Sequence, residues 1–317
     1  MSNKGTTPKS ARNEAEIFDD LRELCCSTGY IHAIAYFCWR DNLIQFAGDQ
    51  ITCGDIQHQH SHERLLTSEI STLIGLMAKG DINMSIPPPK TFQYYVKRSE
   101  ELLHEMHISL QKPWLAAFEA MAGNSSKASK LDPFGTADGL REPIFYSGES
   151  AYNFQYEELS PRKYRADDDW LRSHAGFSID EACVVVRCIG SLQIRNLLNL
   201  REEMLKIHPD YWTFLPGFVF SVQDLAGQTG ISSKKIERVL MAFTVDQTRA
   251  NASFSSLSAF NETNANPIIK AADGSYILLQ HYSLLEALYE APFFWMASDS
   301  LMLQQRPKTA VPSPSSS

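Results

Sequence analysis

Residues Ser221 to Phe243 read SVQDLAGQTGISSKKIERVLMAF: a helix, a tight turn and a second helix. Ser221 and Asp224, three residues apart, make a capping box for a first helix from Val222 to about Gln228. That helix buries Leu225 and Ala226, the small Ala226 allowing a steeply crossing neighbour to come close. Gly230 falls where the turn needs a positive φ, which glycine adopts without steric cost. Ile231 plugs the core beneath the turn, and Ser232 or Ser233 can cap the second helix. Ile236, Val239 and Leu240 form a buried stripe at helical spacing. Ser233, Lys234, Lys235, Glu237 and Arg238 are left to face outward.

Residues 222–241 resemble the helix-turn-helix pattern of bacterial transcription regulators. The resemblance implies a double-stranded DNA partner, with Ser233, Lys234 and Arg238 facing a groove and Lys235 joining them on phosphates or base edges. Between Val222 and Arg249, Lys234, Lys235, Arg238 and Arg249 stand against Asp224, Glu237 and Asp246, a surplus of one positive charge. Neutralising phosphates calls for more than that. The competing expectation is therefore an architectural helix pair in a module that binds another protein.

The surrounding composition is that of a folded protein. The chain has 317 residues, 44% hydrophobic and 21% charged, which predicts two domains or one large one and excludes wholesale disorder. A net charge of −8 argues against non-specific coating of nucleic acid, while leaving room for a local basic helix. The polar N-terminus lacks the apolar core of a signal peptide, and charged residues interrupt every apolar run. Cys25, Cys26, Cys38, Cys53, Cys183 and Cys188 contain no CxxC pair and read as small buried residues of a reducing cytosol. The expectation is a cytoplasmic protein with no membrane partner.

N-terminal to the helix pair, Asn13 to Thr28 reads as a helix with Ile17, Leu21 and Leu24 on one face and Gly29 as its stop. Tyr30–Phe37 and Leu43–Phe46, joined by Arg40-Asp41-Asn42, read as a β-hairpin. Cys53, Asp55, His58, His60 and His62 alternate as metal ligands could, but a structural zinc site needs two separated ligand pairs, so a polar loop is expected. His62 to Lys79 and Thr91 to Leu110 read as amphipathic helices. Glu100, Glu101 and Glu105 lie near His104 and His107 on the second, as its wet face rather than an acid–base centre. Gly123 to Gly139 is the linker candidate. Asp167-Asp168-Asp169 supplies negative charge to the first turn of a helix containing Trp170 and Leu171.

Ser178 and Glu181 form a capping box that launches a helix to about Lys206, apolar on more than one face and hence central. Pro267 to Leu279 reads as a hairpin turning at Asp273-Gly274, placed where a helix-turn-helix usually carries a wing. His281 to Met296 is a final apolar helix. The tail beyond Leu301 becomes Pro-Ser-rich, as a disordered tail or an out-of-frame end would. The segment from Asn266 through Met296 is similar to what precedes nuclease-like C-terminal domains in large uncharacterised bacterial proteins. The sequence shows no glycine-rich phosphate loop, nucleophile elbow or paired-cysteine motif.

These readings predict a mainly α (α+β) protein. A helical N-terminal unit with a small hairpin spans 1–122, a linker and irregular region 123–176, a helical domain with the helix-turn-helix and a second hairpin 177–300, and a disordered tail 301–317. The expected function is DNA-associated recognition or scaffolding without metal or cofactor, as the front part of a nuclease-bearing polypeptide. The alternative is a protein-interaction module.

Overall fold

The computed structural model describes residues 12–42, 64–122 and 151–299. Its only sheet among those residues has three short antiparallel strands: β1 (Val219–Phe220), β2 (Ile268–Lys270) and β3 (Tyr276–Leu278), in the order β1-β3-β2. Ile277 lies opposite Ile269 and Val219, and Tyr276 opposite Lys270 and Phe220. Successive side chains of a strand point to opposite faces. Val219, Ile269 and Ile277 accordingly enter one hydrophobic core, while Phe220, Ile268, Tyr276 and Leu278 enter another. Both faces are buried, so the strands read as apolar runs instead of alternating with polar residues.

The hairpin forms where the sequence places it, with a different turn. The amide of Gly274 donates to the Ala271 carbonyl (3.0 Å) and that of Ala271 to the Ser275 carbonyl (2.9 Å). The loop therefore has three residues, Ala272 to Gly274, with Gly274 at φ +88° in the left-handed position such loops require.

The first core is built by α1 (Glu14–Cys25), α2 (Ile31–Phe37), α3 (Thr67–Met77) and α4 (Pro89–Ala122). Asn13 and Glu16 cap α1 reciprocally, and Ile17, Leu21 and Leu24 are buried as their spacing predicts. The expected N-terminal hairpin is overturned in its first half. Residues 31–37 are helix, followed by a π-helical turn at Cys38–Asn42; residues 43–63, with the second expected strand, lie outside the described ones. Ile31, Ala33, Ile34, Ala35 and Phe37 are all buried. A short run buried on every side has no amphipathic period, and its composition alone cannot separate strand from helix.

The second core gathers α5 (Asn153–Tyr164), α6 (Asp168–His174), α7 (Ile179–Met204), α8 (Val222–Thr229), α9 (Ser233–Ala242) and α11 (His281–Ala297), with the short α10 (Glu262–Ala265) between β-elements. Residues 153–174 are thus mostly helical where the sequence suggests an irregular region. Asp168 and Asp169 do occupy the first turn of α6. Cys25, Cys38 and Cys183 are buried, and Cys26 is exposed. Polar ties join the two cores. Asn251, held at φ +43°, donates to the Gly75 carbonyl (2.8 Å) and to Asn261 Oδ1 (2.9 Å). Gln280 accepts from Ser71 Oγ at 2.8 Å.

Tyr164 shows how a local defect is repaired. Pro292 interrupts α11, and a proline inside a helix disturbs its i→i−4 ladder. The fully buried Tyr164 hydroxyl inserts there, donating to the Tyr289 carbonyl (2.6 Å) and accepting from the Phe293 amide (3.2 Å). A buried group left without its partner costs about 1–3 kcal/mol. Tyr164→Phe should therefore lower the free energy of unfolding by about that amount in urea titration, whereas Tyr152→Phe, at an exposed ring, should change nothing measurable.

Candidate nucleic-acid interface

The pair α8–α9 follows the sequence reading closely. Ser221 Oγ accepts from the Asp224 amide (3.2 Å) and Asp224 Oδ2 from the Ser221 amide (2.8 Å), closing the capping box. The turn is Gly230, Ile231 and Ser232, with Gly230 at φ +68°. A Cβ at Gly230 would meet nothing within 4 Å. The backbone conformation, not crowding, is what requires glycine there. Ser232 occupies the N-cap position of α9, although its side chain makes no capping bond.

Leu225, Ile236, Val239 and Leu240 are buried in the second core. The four candidate DNA-facing residues separate into different environments. Ser233, Lys234 and Arg238 are exposed on α9, beside the equally exposed Glu237 and Met241. Neither Lys234 nor Arg238 forms an ion pair among the described residues. Arg238 nevertheless covers Gly176, where a Cβ would stand 2.1 Å from its Nη1; the positive φ of Gly176 and the missing side chain let the guanidinium lie there.

Lys235 turns inward. Its Nζ meets Glu181 Oε1 at 2.5 Å, bridging α9 to the first turn of α7. Burial works against the charge on Glu181, but hydrogen bonds from Lys235 and Ser178 outweigh it and hold the carboxyl below its usual range. That contact was invisible in sequence because the partners are more than fifty residues apart.

The first turn of α9 contains no acidic residue. Its open amides and the positive end of the helix dipole therefore face the same solvent as Ser233 and Lys234, a setting that favours an anionic oxygen. The hairpin tip adds little: Asp273 accepts from the Ser275 amide and hydroxyl and brings negative charge, against Lys270 on β2. A cleft of about 630 Å³ lies between that hairpin and residues 80–84. Its side chains mix Asp81 and Asp273 with Lys270, Asn83 and Gln247, and select no one charge type.

A second polar cluster lies in the first core. His107 Nε2 meets Glu69 Oε1 at 3.0 Å, both side chains being buried. The sequence reading puts His107 on the wet face of α4 with Glu100, Glu101 and Glu105. Its spacing from Leu103 and Leu110, both buried, is the signal that places it on the dry face instead. The opposite partner comes from α3 and could not be read locally. Nearby, the buried Asp41 receives a bidentate bond from Arg40 (2.7 and 2.8 Å), and Arg40 also reaches Glu100 (2.6 Å), fixing the π-turn onto α4. Cys53, Asp55, His58, His60 and His62 lie outside the described residues. No helix among the described residues is long and apolar enough to cross a membrane.

No protein-family model, curated protein or solved structure matches this chain.

The Glu69–His107 pair predicts a pH signature. Burial pushes Glu69 up to about 7, Asp41 adding to the effect, and pushes His107 down to about 4, with His104 adding. Glu69's contribution to stability is full below its unfolded value and is lost as pH rises towards 7. The contribution of His107 is present above its unfolded value and is lost as pH falls towards 4. Between these limits the two slopes oppose one another. In Glu69→Gln only the histidine's remains, so stability measured by urea titration should climb from pH 4 to 6.5 more steeply than in the wild type. Parallel curves for the two proteins would refute this.

Proposed function

We propose that this chain associates with duplex DNA through α9, as a recognition or scaffolding protein. The observation that supports this best is the order α7-β1-α8-α9-α10-β2-β3, α10 being a single short turn, with the sheet arranged β1-β3-β2. That order resembles a helix-turn-helix followed by a wing, and on this reading the second helix of the pair enters the major groove while the hairpin lies beside it. On α9 the reading rests on Ser233, Lys234 and Arg238, with Lys235 acting mainly as the strut that sets α9 against α7. In a longer polypeptide, such a module would position a nuclease-like domain on its substrate.

A specific observation favours a second reading, a protein-interaction module with an architectural helix pair. Lys235 is committed to Glu181 and Arg238 lies against Gly176, so two of the three cations on α9 already have structural work.

The two readings diverge in a gel-shift titration at 50 and 200 mM salt. On the DNA reading Lys234→Ala with Arg238→Ala weakens duplex binding by about 1–3 kcal/mol in total and lowers the salt slope by roughly two. Lys235→Ala leaves most of the affinity and costs about 0.2–1 kcal/mol of stability, as partly exposed pairs do. Absence of any salt-sensitive duplex retention by the wild type would eliminate the DNA reading. Gly230→Val serves as the fold control: forcing a β-branched residue into the left-handed region should cost about 1–2 kcal/mol or more, readable as a lowered Tm.

A further inference from the structure

The two halves of α7 live in different surroundings. From Ile179 to Gln193 the helix is embedded in the second core, with Ala182, Val185, Val186 and Ile189 buried. Beyond that, one side remains anchored: Leu197 and Leu200 pack with Leu215 and Phe218 of the 3-10 turn that follows the helix. That approach is close, because a Cβ on Gly217 would lie 2.2 Å from Leu197 Cδ2. The other side carries Ile194, Leu198 and Leu205, which are 59%, 63% and 75% exposed.

Their spacing is that of a coiled-coil seam. Ile194, Leu198 and Leu205 follow one another at intervals of four and seven residues, which a heptad reads as d, a and the next a. Arg195 and Glu202 then stand one heptad apart on the same flank of that seam. Both are exposed. Arg195 donates to Gln228 Oε1 at the helix surface, and Glu202 has no ion pair among the described residues.

We propose that this face of α7 receives a second copy of the chain, helix against helix and antiparallel, with Arg195 of each copy meeting Glu202 of the other. The charge pattern selects the occupant. A two-fold interface uses the same patch twice, so the patch must complement itself. Running antiparallel, two copies of this flank bring Arg195 onto Glu202 at both ends, and Ile194 of one copy lies over Leu205 of the other. A parallel arrangement pairs e with g positions, which would set Arg195 against Gly190 and Glu202 against Leu197 and form neither ion pair across the interface. Exposed Ile207, Tyr211 and Trp212 extend the apolar surface past the helix end. The rigid anchoring of the opposite face on Leu215 and Phe218 means that the helix presents this seam already formed. Assembly is independent of the DNA reading and is measured without nucleic acid.

Sedimentation velocity on the full chain over a micromolar range tests the proposal. The wild type should sediment as a concentration-dependent dimer, and Leu198→Asp as a monomer with an unchanged circular-dichroism spectrum. Arg195→Glu and Glu202→Arg should each dimerise about tenfold more weakly, since either change turns two attractive pairs into two repulsive ones. Mixing those two variants in equal amounts should restore a dimer containing one of each, because every contact is then again of opposite sign. A wild type that stays monomeric throughout the range, a dimer indifferent to Leu198→Asp, or a mixture that remains monomeric would each overturn the proposal.

Discussion

Burial of the small sheet on both faces is the constraint on which the rest of this structure depends. The sheet's eight residues in three strands send side chains into both cores: Ile269 and Ile277 on one side, Ile268, Tyr276 and Leu278 on the other. The two-residue period of a strand makes that division strict, since a slip of one residue would exchange every side chain between the cores. β1 enters from the segment after α7, and β2 and β3 come after the α8–α9 pair. The sheet thus fixes where that pair sits relative to the N-terminal helices. The buried Asn251–Asn261–Gly75 contacts and the Gln280–Ser71 bond reinforce the junction with polar groups. Such groups are costly to bury unless paired, and therefore sensitive to misalignment.

On the DNA reading, structural and binding demands would compete for the same few cations of α9. Ser233, Lys234 and Arg238 face solvent, but Lys235 holds the helix to α7, and Arg238 can lie close only because position 176 is glycine. The cost on that reading would be a weaker positive field at the surface that phosphate would approach. A protein with a net charge of −8 has little long-range attraction for DNA to compensate. Affinity on the DNA reading must come from short-range contacts at the first turns of α9, or from two such helices acting together. The exposed seam of α7 supplies a route to the second arrangement and gives the apolar residues there a purpose that the second core does not.

Much of the second half was legible in the sequence because its signals are local. Capping boxes at Ser221 and Ser178, the left-handed glycine at 230, the stripe of Ile236, Val239 and Leu240, and the glycine of the hairpin each act within a few residues. Periodicity also located α1, α3 and most of α4. The mainly α class followed from those elements. Where the signal was not local, sequence reading failed or was silent. Residues 31–37 were expected as a strand because aromatic and aliphatic composition suits either structure once all sides are buried. Helix α5 contains Pro161 and a charged surface, which hid its period.

What the sequence alone determined is the helices with a clear hydrophobic period, the turn between α8 and α9 and the apolar stripe along those helices. Only the tertiary structure decided what those surfaces meet. It turned Lys235 back onto Glu181, buried His107 against Glu69, inserted Tyr164 into α11 and used the sheet as a wall between two cores. The physical reason is range: a cap, a turn or a hydrophobic period is set by neighbours along the chain. An ion pair or a shared core depends on residues tens to hundreds of positions apart, whose approach no local pattern records.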